Sequence, residues 1–311
     1  MSVSLEKLRA LKREAGGAVR RIPPDAAGTD AALAEAIRGT PARPAAHSID
    51  ALRKILGLRE KVVTPLRPRK SVDRDVPGEE ISPGLRLIES HLPMPAPDFD
   101  LSLAFARRHG ESVDPRHLLF FDTETTGLAG GTGTRAFMIG AADWHHDRLH
   151  GDGLRVRQLL MTTLAAEGAM LEAFGSWLQE KPTVLSSYNG RCYDSPLLKT
   201  RYRLARKHDP ITPLDHVDLL FPTRRRYRGT WENCRLATIE RELLRIVRED
   251  DLPGSEAPAA WLDYLRGGSA RNLRRVAAHN HQDVVTLALL MLRLVEVEAA
   301  GEEVVGFVES P

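Results

Sequence analysis

Leu118-Leu119-Phe120-Phe121-Asp122-Thr123-Glu124-Thr125-Thr126-Gly127-Leu128 runs from four large apolar side chains straight into two carboxylates, then into Thr, Thr and Gly. An apolar run closed by turn residues reads as a buried strand and its exit. Side chains alternate along a strand, so Asp122 and Glu124 point to the same side at its carboxyl end. Two carboxylates held together there repel each other. A divalent cation between them is the simplest physical reason to build such a pair.

Two further pieces follow in order. Ser187-Tyr188-Asn189-Gly190-Arg191-Cys192-Tyr193-Asp194 comes after the short apolar run Val184-Leu185. His279-Asn280-His281-Gln282-Asp283-Val284-Val285 lies inside a long helical pattern. The order is Asp-x-Glu, then Asn-x3-Tyr-Asp, then His-x3-Asp. It resembles the three exonuclease motifs of the DEDD superfamily, which includes the proofreading exonucleases of DNA polymerases. More narrowly, the chain is similar to the YprB-type ribonuclease H-like family. That likeness also rests on Gly130-Gly131-Thr132-Gly133-Thr134, His216-Val217-Asp218-Leu219-Leu220 and Cys234-Arg235-Leu236-Ala237-Thr238-Ile239-Glu240. It covers roughly residues 84 to 298.

The resemblance implies an α/β fold, a ribonuclease H-like mixed five-stranded sheet (three antiparallel strands, then parallel ones) flanked by helices. The sequence pattern points the same way. Strands are expected at His117–Asp122, Ala136–Ala142, Leu154–Met161 and Thr183–Ser187, with a weaker candidate at Leu85–Ile88. Helices are expected at Leu164–Leu178, Pro196–Lys207, Leu236–Ile246, Pro258–Leu265 and Arg271–Val297. Residues 1–82 read differently, as a Pro-, Ala- and charge-rich arm that is poorly ordered or forms short helices, with 64–83 an extended linker. The exonuclease domain is expected over 83–300 and a tail over 301–311.

Composition narrows the class. At 42% apolar and 28% charged, the chain has material for a real core. Its two cysteines, Cys192 and Cys234, have no metal-type spacing and suggest a reduced, cytoplasmic protein with both thiols buried as small hydrophobes. No apolar run is long enough for a membrane span. The net charge of +2 is unevenly placed, because residues 199–228 alone carry nine Lys/Arg against three Asp. Local basicity of that kind is the electrostatic footprint expected for a phosphate backbone.

Phosphodiester hydrolysis needs an activated water and stabilisation of charge on the leaving oxygen, which a pair of Mg²⁺ or Mn²⁺ ions supplies. Hard ions of this type prefer carboxylate oxygens. Asp122, Glu124, Asp194 and Asp283 are the candidate metal ligands and catalytic acids. By the resemblance, Asp122 bridges two ions, Glu124 and Asp283 serve the ion that activates water, and Asp194 acts on the second through water. A turn-capping pair at 122/124 and a helix cap at Asp194 are the structural alternatives. His279 lies one helical turn before Asp283 and shares its face. The superfamily's water-activating residue is Tyr four before the last Asp or His five before, so this chain carries the His type at the Tyr spacing. An imidazole there suits work near neutral pH, although a surface or core histidine is the bland reading. His281 points elsewhere, to solvent or packing.

On the substrate side, Thr125, Asn189 and Tyr193 are assigned to the nucleic acid, Asn189 hydrogen-bonding either a strand end or the substrate backbone and Tyr193 packing beside Asp194. Arg224-Arg225-Arg226-Tyr227-Arg228, with Trp231 beyond, combines cations for phosphates with aromatic faces for bases; an exposed charged loop is the alternative. Asp218 is either an auxiliary acid or a structural cap. The glycine loop 130–134 either approaches a nucleotide or joins two strands, and no P-loop lysine follows it. The expected activity is 3′→5′ hydrolysis of single-stranded nucleic-acid ends, with residues 1–80 able to recruit a protein partner. Competing readings are a catalytically weak nucleic-acid-binding module or a scaffold keeping the same fold.

Overall fold

The computed structural model describes residues 72–127, 133–181 and 183–301. The arm up to residue 71, most of the glycine loop and the tail from 302 lie outside the described residues. Among the described residues, nine strands are defined: β1 (Glu79–Ser82), β2 (Leu85–Leu92), β3 (Leu101–Ser102), β4 (Ser112–Val113), β5 (Leu118–Thr125), β6 (Ala136–Asp147), β7 (Gly151–Met161), β8 (Val184–Ser187) and β9 (Asp215–Asp218). The α-helices are α1 (Glu167–Trp177), α2 (Asp194–Leu204), α3 (Leu220–Tyr227), α4 (Leu236–Ile239), α5 (Ala257–Leu265) and α6 (Arg271–Ala299).

Seven strands form one sheet in the order β1-β2-β7-β6-β5-β8-β9. Every pairing from β1 to β5 is antiparallel, whereas β5–β8 and β8–β9 are parallel. The expected core of three antiparallel strands followed by parallel ones is β7-β6-β5-β8-β9. The hairpin β1–β2 extends it by two strands beyond the expected five. Residues 72–83, the described part of the stretch 64–83 read as an extended linker, are held on the domain. Within it, Val76 is buried in the core, Arg74 stacks on the Tyr264 ring at 3.9 Å, and Arg274 pairs with Asp73 at 2.6 Å.

Central strands covered on both faces read as unbroken apolar runs, and β5 shows why. Leu119 and Phe121 join a buried cluster with Phe174 and Leu185. Leu118 and Phe120 join a second cluster with Trp144 and Val284 of α6. Continuing that alternation puts Asp122 and Glu124 on the face that α6 covers. Thr123 faces the other way.

One lateral row sets how closely α6 approaches. Asp122, Gly140 and Gln158 lie directly opposite one another across β5, β6 and β7. Asn280 of α6, fully buried, sits over Gly140, accepting from Gln158 Nε2 at 2.9 Å and donating to Asp122 Oδ2 at 3.0 Å. A Cβ at position 140 would stand 2.1 Å from Asn280 Oδ1. Glycine is required there because a helix side chain fills the space. Gly140→Ala is expected to destabilise the fold by about 1–3 kcal/mol and to weaken divalent-cation binding by displacing Asn280 from Asp122. Denaturant unfolding and a metal titration check this; an unchanged midpoint would mean that Asn280 moves aside freely.

Candidate metal centre

Three elements bring the site together. β5 supplies Asp122 and Glu124, the loop from β8 into α2 supplies Asp194, and α6 supplies His279 and Asp283. The β8–α2 loop is pinned from beneath. Asp218 at the end of β9 accepts the backbone N–H groups of Asn189 (2.8 Å), Arg191 (3.0 Å) and Leu220 (3.0 Å). That answers the open question about Asp218, which works as a cap with both oxygens engaged. Asn189 takes the left-handed backbone (φ 70°), a conformation that asparagine tolerates. Ser187 Oγ accepts from Gly190 N at 3.1 Å and contacts His216 Nε2 at 2.7 Å. The turn thereby delivers Asp194, which accepts from the Thr123 hydroxyl.

The acids are electrostatically one group. Burial raises Asp122 well above the usual carboxylate range, and the charges of Asp283, Asp194 and Glu124 push it further. Glu124, buried and facing Asp283, is pushed up to about 8, opposed by His279. Asp194 rises to about 6, chiefly through burial, against the hydrogen bond from Thr123. One oxygen each of Glu124 and Asp283 and a ring nitrogen of His279 lie within 4.8 Å of one another, a spacing that fits a single cation. Carboxylate oxygens suit a hard divalent cation, and the His279 ring nitrogen stands beside them. Buried carboxylates that repel one another are what such an ion would neutralise.

His279 is held from both sides. Its Nε2 lies 3.4 Å from Asp283 Oδ2, and its Nδ1 lies 2.7 Å from Asp251 Oδ1 and 2.9 Å from Arg248 Nη1. Nδ1 has a single hydrogen-bonding role at a time. As donor it serves Asp251, and the Arg248 contact then adds no bond. Burial disfavours the charged ring, but Asp283, the Asp251 hydrogen bond and Glu124 outweigh it and raise the pKa. His281 is on a different face, its Nε2 2.9 Å from the Ser90 hydroxyl, and burial lowers its pKa.

Sequence reasoning missed Arg248, Asp251 and Gln158, and quoted Glu240 without a role. The Arg248 guanidinium donates to Asp283 Oδ1 and makes a paired contact with Glu240, both arms at 2.6 Å. Glu240 is almost wholly buried and also accepts from the Thr286 hydroxyl. Arg248 follows a π-helical turn, Glu240–Leu244, that ends on Arg245 in the left-handed region (φ 59°). No residue spacing announces such a connection.

Other assigned residues fall less neatly. Thr125, Asn189 and Tyr193 line a cavity of about 330 Å³ beside Asp194. Tyr193 is 61% exposed on its rim, and Asp194 lines the same cavity. Thr125 Oγ1 is tied to Gly127 O at 3.1 Å. The stretch 224–228 belongs to α3 and its end, not to a loop, and its side chains divide. Arg225 donates to Phe105 O, and Arg226 to Val297 O at 3.1 Å and Glu298 at 3.3 Å. Tyr227 is buried and stacks on Trp231 at 5.1 Å, which removes it as a base-stacking surface. Arg224 and Arg228 are exposed. Cys192 is exposed rather than buried, and neither cysteine forms a disulfide.

These observations define the class. A family model described as RNase_H superfamily matches residues 119–295, more than half of the chain. The chain belongs to the RNase H superfamily. It is 36% identical over 185 residues to the uncharacterized protein YprB of Bacillus subtilis (strain 168), a match covering 59% of this chain and 43% of that protein. The chain thus spans less than half the length of that curated relative. Among solved structures, a product-bound exonuclease I gives a TM-score of 0.34 at 18% identity, over 52% of this chain and 46% of that one. E. coli exonuclease I in complex with a 5cy-dA13 oligonucleotide gives the same values over 58% and 40%. No helix among the described residues is long and apolar enough to cross a membrane.

Raised carboxylate pKa values have a thermodynamic consequence. Asp122, Glu124 and Asp194 hold protons in the folded chain at pH values where the unfolded chain has released them. Their contribution to stability is complete below about pH 4 and is lost as pH rises through about 6 for Asp194 and about 8 for Glu124. In EDTA, the melting temperature is expected to fall between about pH 6 and 8, and the increment given by Mg²⁺ or Mn²⁺ to grow over the same window. An increment independent of pH would mean that these carboxylates do not hold the ion.

Proposed function

We propose that this chain is a divalent-metal-dependent nuclease, hydrolysing nucleic-acid phosphodiesters from 3′ single-stranded ends with two Mg²⁺ or Mn²⁺ ions. The observation that carries this reading is the convergence of Asp122, Glu124, Asp194 and Asp283 into one buried, mutually repelling group, with His279 one helical turn from Asp283. Within it, Asp122, Glu124, Asp194 and Asp283 hold the metal, which supplies Lewis-acid charge for the attacking and leaving oxygens when bound. His279, oriented by Asp251 at Nδ1, presents Nε2 towards the acid group, where it takes the proton from the attacking water. Thr123 and Asn280 fix the carboxylates of Asp194 and Asp122. The cavity lined by Thr125, Asn189 and Tyr193 adjoins Asp194 and receives the terminal nucleotide. A reduced cytoplasmic setting, a protein partner for residues 1–80 and the division into arm, domain and tail belong to the same reading.

The test is purified chain with Mn²⁺ or Mg²⁺ and end-labelled single- and double-stranded DNA and RNA, with products resolved at nucleotide resolution. A ladder shortening from the 3′ end, abolished by EDTA, supports the reading. Binding without cleavage in either metal would make the chain a nucleic-acid-binding module.

A further inference from the structure

We propose that the groove between the open edge of β9, α2 and α3 is a track for the phosphodiester backbone of a nucleic-acid strand, leading away from the acid group from the nucleotide next to it onward. This rests on the nuclease reading and extends it to the substrate, which becomes a strand rather than a mono- or dinucleotide. β9 is an edge strand of the sheet. Beside it lies a cavity of about 600 Å³ whose walls include Arg191, Lys199, Phe221 and Arg225.

Charge is the first argument. The side chains of Arg191 and Lys199 make no hydrogen bond or ion pair among the described residues. Arg225 uses one guanidinium nitrogen on Phe105 O and keeps the rest of its fork. The acids in the same wall are already committed. Asp215 is bridged by Arg108 at 2.7 Å, and Asp218 is filled by three backbone N–H groups. The groove therefore presents cations whose counter-charge must come from outside.

Position is the second argument. Asp194 belongs to the acid group, and the next residue, Ser195, already lines the groove. One helical turn further along α2 comes Lys199, and one turn beyond it Arg203, which is exposed and shares a neighbouring depression of about 520 Å³ with Lys199. Four residues of helix advance about 6 Å, so the cations lead away from the acid group in regular steps. Phe221, 47% exposed in the same wall, offers a ring face on which a base of any identity can stack. Cations with an exposed aromatic ring fit a single strand better than an acidic peptide.

The experiment measures binding in EDTA, so that nothing is hydrolysed, by fluorescence anisotropy at several salt concentrations. The probes are labelled oligothymidylates, one a dinucleotide that reaches only the acid group and one of about 20 nucleotides that runs on along the groove. Lys199→Glu/Arg203→Glu is compared with wild type after both are shown to melt at the same temperature; Phe221→Ala is a second, uncharged probe. The long oligonucleotide should lose about tenfold or more in affinity, with a salt slope shallower by about 0.7 per lost contact. The short one should be unaffected. Equal losses for both lengths, or an unchanged slope for the long one, would overturn the track. So would competition by polyglutamate as strong as that by the oligonucleotide, which would make the groove a protein-docking surface. Length-dependent binding without hydrolysis in Mn²⁺ would refute the nuclease reading and leave the groove standing. Hydrolysis with unchanged binding in the variants would do the reverse.

Discussion

Asp122→Asn is expected to reduce metal-dependent hydrolysis by more than about 100-fold, since even residues one step removed from a metal typically cost 10–100-fold. The fold should survive the change and gain from it in the absence of metal. Asp122 is the acid on which the charges of Asp283, Asp194 and Glu124 all press, and an amide removes that repulsion. Asparagine also keeps a carbonyl oxygen for Asn280. The combined signature is lost turnover with an equal or higher melting temperature in EDTA. A variant that merely unfolds would give the opposite melting shift. Turnover at the wild-type rate would remove Asp122 from the site.

The second large effect concerns His279. His279→Ala is expected to lower kcat by about 10²–10⁴-fold, the usual contribution of a positioned general base, with KM little changed. The ring is fixed by Asp251 on one nitrogen and faces Asp283 with the other, so its role is realised in the transition state rather than in holding substrate. His281→Ala should do far less, because that ring is engaged with Ser90 on β2. His279→Tyr places a tyrosine at the spacing of the superfamily's tyrosine subclass and should keep partial activity. Full activity in His279→Ala together with loss in His281→Ala would mean that the wrong face of α6 has been assigned to the chemistry.

Arg248 links these two predictions. It contacts Asp283 directly and stands beside the nitrogen of His279 that Asp251 holds, while Glu240 anchors it from behind. One cation thus sits against a group of acids that otherwise repel, with its far side neutralised by a buried glutamate.

Much of this was written along the chain. The apolar run 118–121 ending in Asp122 and Glu124 identifies a central strand covered on both faces, because only such a strand dispenses with polar alternation. The i, i+4 spacing of His279 and Asp283 puts them on one helix face whatever the helix packs against. β9 escaped detection because four residues, three of them Asp, His and Asp, carry no apolar signal; its place comes from pairing with β8. α3 escaped because its arginines read as a solvated loop, whereas Arg225 and Arg226 cap carbonyls at Phe105 and Val297, far away in sequence. The convergence of Asp194 with the other acids was expected from motif order, but the means of delivering it, a left-handed Asn189 pinned by Asp218, is a property of the loop's three-dimensional closure. Periodicity and spacing are local, so the sequence by itself determined the strand, the helix face and the acids each carries. Contacts between separate elements depend on how closely those elements approach, and only the tertiary structure decided that Gly140 admits Asn280 to Asp122 and that Glu240 and Asp283 share Arg248.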